Sequence, residues 1–243
     1  MEYSDHVSAV ERETTDIAAA LRAGPLDVRV PTCPDWTLAD LTRHLGQFAG
    51  FWAHVLCEGT GTPKTPFTDP PSGPGLALWF EEVSPHLVTM LRATPPETEV
   101  WTWKKDDQSA RFVARRCANE LAVHRFDTQT ARGSPEPIET ALAADGIDEI
   151  FMMMEARAFL EPSGQASGET LHLHATDSGD EWLLTLEPGR IEVAREHAKA
   201  DLALRGAVSD LELVLYQRPP VAGVERFGDE RVLDAWYREF KFD

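Results

Sequence analysis

The stretch RFVARRCANELAVHRFD, residues 111–127, decides how this chain folds. Three- and four-residue steps through Val113, Cys117 and Leu121 draw the apolar stripe of an amphipathic helix, and the same stepping lands on Glu120 and His124. Two ionisable side chains therefore point toward a core. Burying a carboxylate without a partner costs several kcal/mol, roughly the whole stability of a small domain, so something must neutralise Glu120.

Working outward, the same anomaly recurs after Thr37, where Leu38, Leu41, Leu45, Phe48, Trp52 and Val55 follow one another at helical steps. His44 lies on the arc shared by Leu41, Phe48 and Phe51. Two imidazoles and one carboxylate converging from facing helices make a His₂Glu set, which leaves a tetrahedral zinc one open position for water or a thiolate. A plainer reading stands beside it: Glu120 and His124 form a local ion pair, and His44 is a hydrogen-bonded core histidine.

The rest of the first half is helical as well. A helix is expected over 3–21, closed by Gly24 and Pro25, then a loop through Pro31, Cys33 and Pro34. Residues 59–75 are dense in Pro, Gly and Thr and read as a long loop, followed by a helix over 76–93. Residues 100–105 are short, aromatic and extended, and the deciding helix runs over 108–131 to Gly133. Four main helices suit a bundle. After Ser134-Pro-Glu-Pro137 the texture changes, placing a domain boundary near Ser134, with domains 1–134 and 135–243. Here a helix over 138–160 precedes strands at 170–175, 182–187, 190–194 and 201–205. Helices at 207–216 and 229–240 flank a strand at 224–227. The fold class is thus an α-helical bundle followed by a smaller α+β domain.

Composition narrows the partners. Lys plus Arg number 23 against 41 Asp plus Glu, a formal net charge of −18, with no basic block of the kind that tracks a phosphate backbone. No nucleic acid and no membrane partner is expected. The first 21 residues carry five acidic groups and no apolar run, unlike a signal peptide or a membrane span. Cys33, Cys57 and Cys117 form no CxxC pair and leave an odd count, which points to a reducing compartment and a cytoplasmic location.

The segments VPTCPDWTLADLTRHLG (30–46) and NELAVHRFD (119–127) resemble the mycothiol-dependent maleylpyruvate isomerase family, whose first domain is a DinB-like four-helix bundle. ADLALRGAVSDLELVLYQR (200–218) and FGD (227–229) are similar to its smaller C-terminal domain, so the likeness spans nearly the whole chain. The resemblance implies a divalent metal, commonly zinc, held by His44, Glu120 and His124, and mycothiol as the thiol cofactor. It also implies a small electrophilic substrate. In an isomerase the thiolate adds to an activated double bond, allows rotation and leaves; in an S-transferase it stays attached. Arg218 matches the arginine that the family's second domain supplies toward the active site, although many members carry Gly where this chain has Gln217, and Pro219-Pro220 follows.

Other residues invite a reading. Trp36 and Trp52 suit packing or a pocket wall, Asp127 lies one turn past His124 and suits either orienting a ligand imidazole or capping packing at the helix end, and Cys117 reads as a packed thiol with Arg115 and Arg116 projecting elsewhere on the helix. His172 and His174 share one face of an expected strand, with no third ligand visible from sequence, and read as an ordinary polar face. A metal-dependent hydrolase and a non-catalytic small-molecule-binding protein are the rival functions.

Overall fold

The computed structural model describes residues 1–63, 69–73, 75–155 and 166–239. The chain separates into two compact units, Met1–Glu136 and Pro137–Asp243. The first is helical and the second is built on a five-stranded sheet.

In the first unit α1 (Tyr3–Arg22) opens with a reciprocal capping box between Glu2 and Asp5 and buries Val7, Val10, Ile17 and Leu21 along one face. Its last carbonyls do not go unsatisfied. The Arg132 guanidinium donates to the carbonyls of Ala20 at 2.8 Å, Gly24 at 2.9 Å and Pro25 at 3.0 Å. The expected loop at 25–37 instead holds a small antiparallel pair, β1 (Arg29–Val30) and β2 (Cys33–Thr37). Its two prolines disguised it, since Pro34 weakens a strand pattern unless it sits at an edge.

Thr37 ends β2 and caps α2 (Leu38–Glu58). Its hydroxyl accepts from the Asp40 N–H while its own N–H donates to the Asp40 carboxylate at 2.9 Å. The start of α2, and so the placing of His44 two turns later, is pinned at a single residue. At the other end Gly59 takes the left-handed conformation, φ 71°, that stops the helix. α3 (Gly75–Ala93) packs on α2 so closely that a Cβ at Gly46 would stand 2.1 Å from the Trp79 ring. Only glycine leaves room there.

α4 (Ala110–Ala131) is capped by the Ser109 hydroxyl, which accepts from the Phe112 N–H at 3.2 Å. Residues 100–105 form no named strand; the backbone pairs there in a single isolated bridge, Glu99 to Ser109, because Thr102 and Gln108 fold the segment back on itself. α4 packs on α1 and α2. A charge pair is buried with it. Arg125 Nε donates to Glu13 Oε2 at 2.7 Å, the two side chains being 4% and 2% exposed, and Arg125 also reaches Gln129 and the Glu136 carbonyl.

The second unit begins with α5 (Thr140–Glu155); the expected continuation over 156–160 lies outside the described residues. Its strands are β3 (Glu169–Ala175), β4 (Glu181–Glu187), β5 (Arg190–Ala194), β6 (Leu202–Gly206) and β7 (Glu225–Gly228), in the order β5-β4-β3-β6-β7. β3 and β6 are parallel and the other neighbours antiparallel. Alternation sorts the faces: Leu171, Leu173, Trp182, Leu184 and Leu186 are buried, and α6 (Val208–Leu215) and α7 (Arg231–Glu239) pack on β3. Trp236 of α7 is fully buried and donates its indole N–H to the Leu215 carbonyl at 2.9 Å. No helix among the described residues is long and apolar enough to cross a membrane.

Candidate metal centre

α2 and α4 bring together the three residues singled out from their spacing. His44 Nε2 lies 2.9 Å from Glu120 Oε1, and His124 Nε2 lies 3.4 Å from the same oxygen. The three ligand atoms all fall within 4.8 Å of one another. Ligands bonded to one tetrahedral ion at ~2.0–2.1 Å stand roughly 3.3 Å apart by geometry, so this donor set fits a divalent transition metal with two nitrogens and one oxygen. The side chains are 34%, 17% and 13% exposed for His44, Glu120 and His124, which leaves an open side.

Two of the ligand candidates, His124 and Glu120, are oriented by neighbours on α4. His124 turns its other ring nitrogen, Nδ1, to Asp127 Oδ2 at 2.8 Å, and Asp127 is fully buried one turn along α4. A carboxylate behind a ligand imidazole fixes the tautomer that leaves Nε2 free to bind, and raises its basicity. Asp127 thus takes the orienting position its spacing suggested. The Cys33 thiol, delivered by β2, donates to the same Asp127 oxygen at 3.6 Å, so Cys33, His124 and Asp127 form a second, overlapping group of possible ligands. Cys33 was legible only as part of the 30–46 segment.

Glu120 has two faces. Oε1 looks toward the imidazoles, whereas Oε2 is paired with the Arg116 guanidinium one turn earlier. Arg116 is buried and belongs to the cluster. The step from 116 to 120 to 124 is a plain i, i+4 ladder, which was the available signal. Cys117 itself is fully buried among apolar residues, as a packed thiol would be.

Electrostatics favour ligand-ready imidazole on the α2 side. Burial, reinforced by the nearby His124 and Arg116, pulls the His44 ring down to about 4. It is therefore uncharged at neutral pH with a lone pair available. The Trp36 ring stands 5.1 Å from the His44 ring and stacks on that of His124 at 6.3 Å and 24°. Trp36 walls the cluster, while Trp52, 3% exposed and packed against Phe51 and Trp101, belongs to the core.

Arg218 lies in the second unit, just beyond α6. Gln217 before it adopts φ 60°, an uncommon conformation for a residue with a side chain, and the Arg218 guanidinium donates to the Tyr216 carbonyl at 2.8 Å and sits 5.5 Å from the Tyr216 ring centre. His172 and His174 also have company that the sequence did not reveal: Glu181 and His197.

A family model described as the mycothiol maleylpyruvate isomerase N-terminal domain matches residues 7–129. A crystal structure of a mycothiol-dependent maleylpyruvate isomerase superposes with a TM-score of 0.63 at 15% identity, covering 93% of each chain. A histidine-to-alanine mutant of that enzyme gives 0.63 at 14% identity with the same coverage. At these identities the likeness shows a shared fold across both units. No curated protein matches the chain.

Proposed function

From the premise that this chain belongs to the mycothiol maleylpyruvate isomerase N-terminal domain family, we propose that it is a metal- and thiol-dependent enzyme that uses mycothiol to isomerise a small electrophilic substrate. His44, Glu120 and His124 would hold the divalent ion, zinc being the best match to two imidazoles and a carboxylate. The observation that carries this reading is the convergence of two imidazole Nε2 atoms on one carboxylate oxygen, His44 reaching Glu120 across 76 residues of sequence.

A divalent ion held by these residues would supply the positive charge that keeps a thiol ionised, and therefore nucleophilic, at neutral pH. The chain's own residues do the rest. Asp127 holds His124 in one tautomer, and Arg116 balances the charge of Glu120 so that a partly buried carboxylate persists without distorting α4. Trp36 stands against both imidazoles and forms one wall of the cluster. Arg218 is proposed to bind a substrate or cofactor carboxylate, for which a planar guanidinium is better suited than an ammonium.

Metal content and mycothiol affinity, measured on the wild type beside His124→Ala, test this. The expected result is about one ion at this site and mycothiol binding in the wild type, both lost in the variant. A wild type that binds mycothiol equally well with and without metal would sink the proposal. Turnover with mycothiol that yields a stable thioether in place of a rearranged product would redirect it to an S-transferase.

A further inference from the structure

The second unit carries another cluster with ligand chemistry, far from α2 and α4 in sequence. His172 and His174 project from the same face of β3, and Glu181 sits opposite His174 in the β3–β4 register. His172 Nε2 lies 2.9 Å from Glu181 Oε2, His197 Nδ1 lies 2.6 Å from that same oxygen, and His174 Nδ1 lies 3.2 Å from Oε1. Three imidazoles thus crowd one carboxylate. Their ring centres are 5.2 to 6.3 Å apart, and the ligand atoms of His172, Glu181 and His197 all fall within 4.8 Å of one another.

The topology explains why the fourth member is there. The chain leaves β5 at Ala194, level with Leu183, His172 and Ala203, and re-enters the sheet at Leu202 of the parallel-running β6. Residues 195–201 must therefore pass across β4 and β3, about 14 Å at three strand spacings. That is a short link for a crossover between parallel strands, which ordinarily takes a dozen residues or more. Its path is marked by side-chain bonds: Arg195 to Asp180 at 3.0 Å, His197 to Glu181, and the Thr170 hydroxyl donating to the Asp201 carboxylate at 2.8 Å. The segment has no regular secondary structure of its own, and these bonds help hold it to the sheet.

We propose that His172, Glu181 and His197 bind a divalent transition-metal ion, with His174 positioned as a fourth ligand, and that this ion clips the 195–201 crossover onto the sheet. Imidazole with a single carboxylate selects zinc, nickel or copper over magnesium or calcium, which take oxygen sets. The burial gradient suits a site that loads from solvent. His172 is 4% exposed and backs the site, Glu181 is 22% and His174 33% exposed, and His197 is 77% exposed and closes it from outside. The proposal is independent of the α2–α4 centre, with which it shares no residue.

The test is zinc titration of the chelator-stripped full-length protein by calorimetry, with magnesium as the control, on wild type, His197→Ala, His174→Ala and His124→Ala. Two zinc ions per wild-type chain are expected, one of them weakened at least ~10-fold in His197→Ala, the scale that even a change behind a ligand produces. Zinc should also raise the thermal midpoint of wild type more than that of His197→Ala. Because His197 is largely exposed, the variant is expected to fold, and His174→Ala serves if it does not. One ion that vanishes in His124→Ala and is untouched in both other variants overturns the second site. One ion that vanishes in His197→Ala and persists in His124→Ala upholds it and removes the α2–α4 metal instead.

Discussion

The two histidine–carboxylate clusters are built on opposite principles. In the first unit the ligand candidates stand on two helices, and α4 alone supplies Arg116, Glu120, His124 and Asp127 at steps of four, four and three. In the second, the residues come from β3, β4 and an irregular crossover, and only His172 and His174 share an element. A helix makes its own ladder, so one sequence segment can carry both the ligand and the group that orients it. A strand presents only every second residue, and its neighbours across the sheet are decided by register. The helical cluster is consequently backed by a fully buried carboxylate, Asp127, whereas the sheet cluster is closed by the exposed His197.

That contrast can be broken or sharpened by substitution. The largest effect is expected where α4 is anchored. Glu13→Ala takes the carboxylate away from the buried Arg125 guanidinium and should cost about 3–5 kcal/mol by denaturant unfolding, whereas a double replacement with apolar residues should recover most of the loss. An unchanged midpoint in Glu13→Ala would show that this pair does not anchor α4. Next, Asp127→Asn preserves shape but weakens control of the His124 tautomer, so zinc affinity at the helical cluster should fall ~10–100-fold while the sheet cluster is unaffected. Equal losses at both clusters would contradict their independence.

The smallest effect concerns the start of α2. Hydrogen bonds from the Thr37 hydroxyl and backbone N–H hold the Asp40 carboxyl below its ordinary value. Its folded value being lower than its unfolded one, the stabilisation is fully present above the ordinary carboxylate range and is lost as pH falls through the folded value. Asp40→Asn should remove about 0.5–1 kcal/mol at neutral pH and flatten that part of the acid limb in a pH series of unfolding midpoints.

Much of the helical unit was legible because its signals are local. The apolar steps in α1, α2, α3 and α4 each lie within one segment, and the observed spans differ from the expected ones by a residue or two at their ends. The strand positions in the second unit were legible for the same reason: alternation over 182–187 reappears as alternating burial in β4. Local signals misled where two of them conflicted. Prolines masked β1 and β2, and the aromatic run at 100–105 looked extended although Thr102 and Gln108 bend it. The pairing of Arg116 with Glu120 follows the i, i+4 step within α4.

By itself the sequence determined which residues share a helical or strand face: Glu120 with His124, and His172 with His174. Only the tertiary structure decided what each face meets. The rotation of α2 that brings His44 to Glu120, the register that sets Glu181 against His174, and the crossover that lowers His197 onto both were invisible in any one segment. Periodicity and capping are set by interactions among residues a few positions apart, whereas helix rotation and strand register minimise the packing energy of an entire core, to which every distant residue contributes.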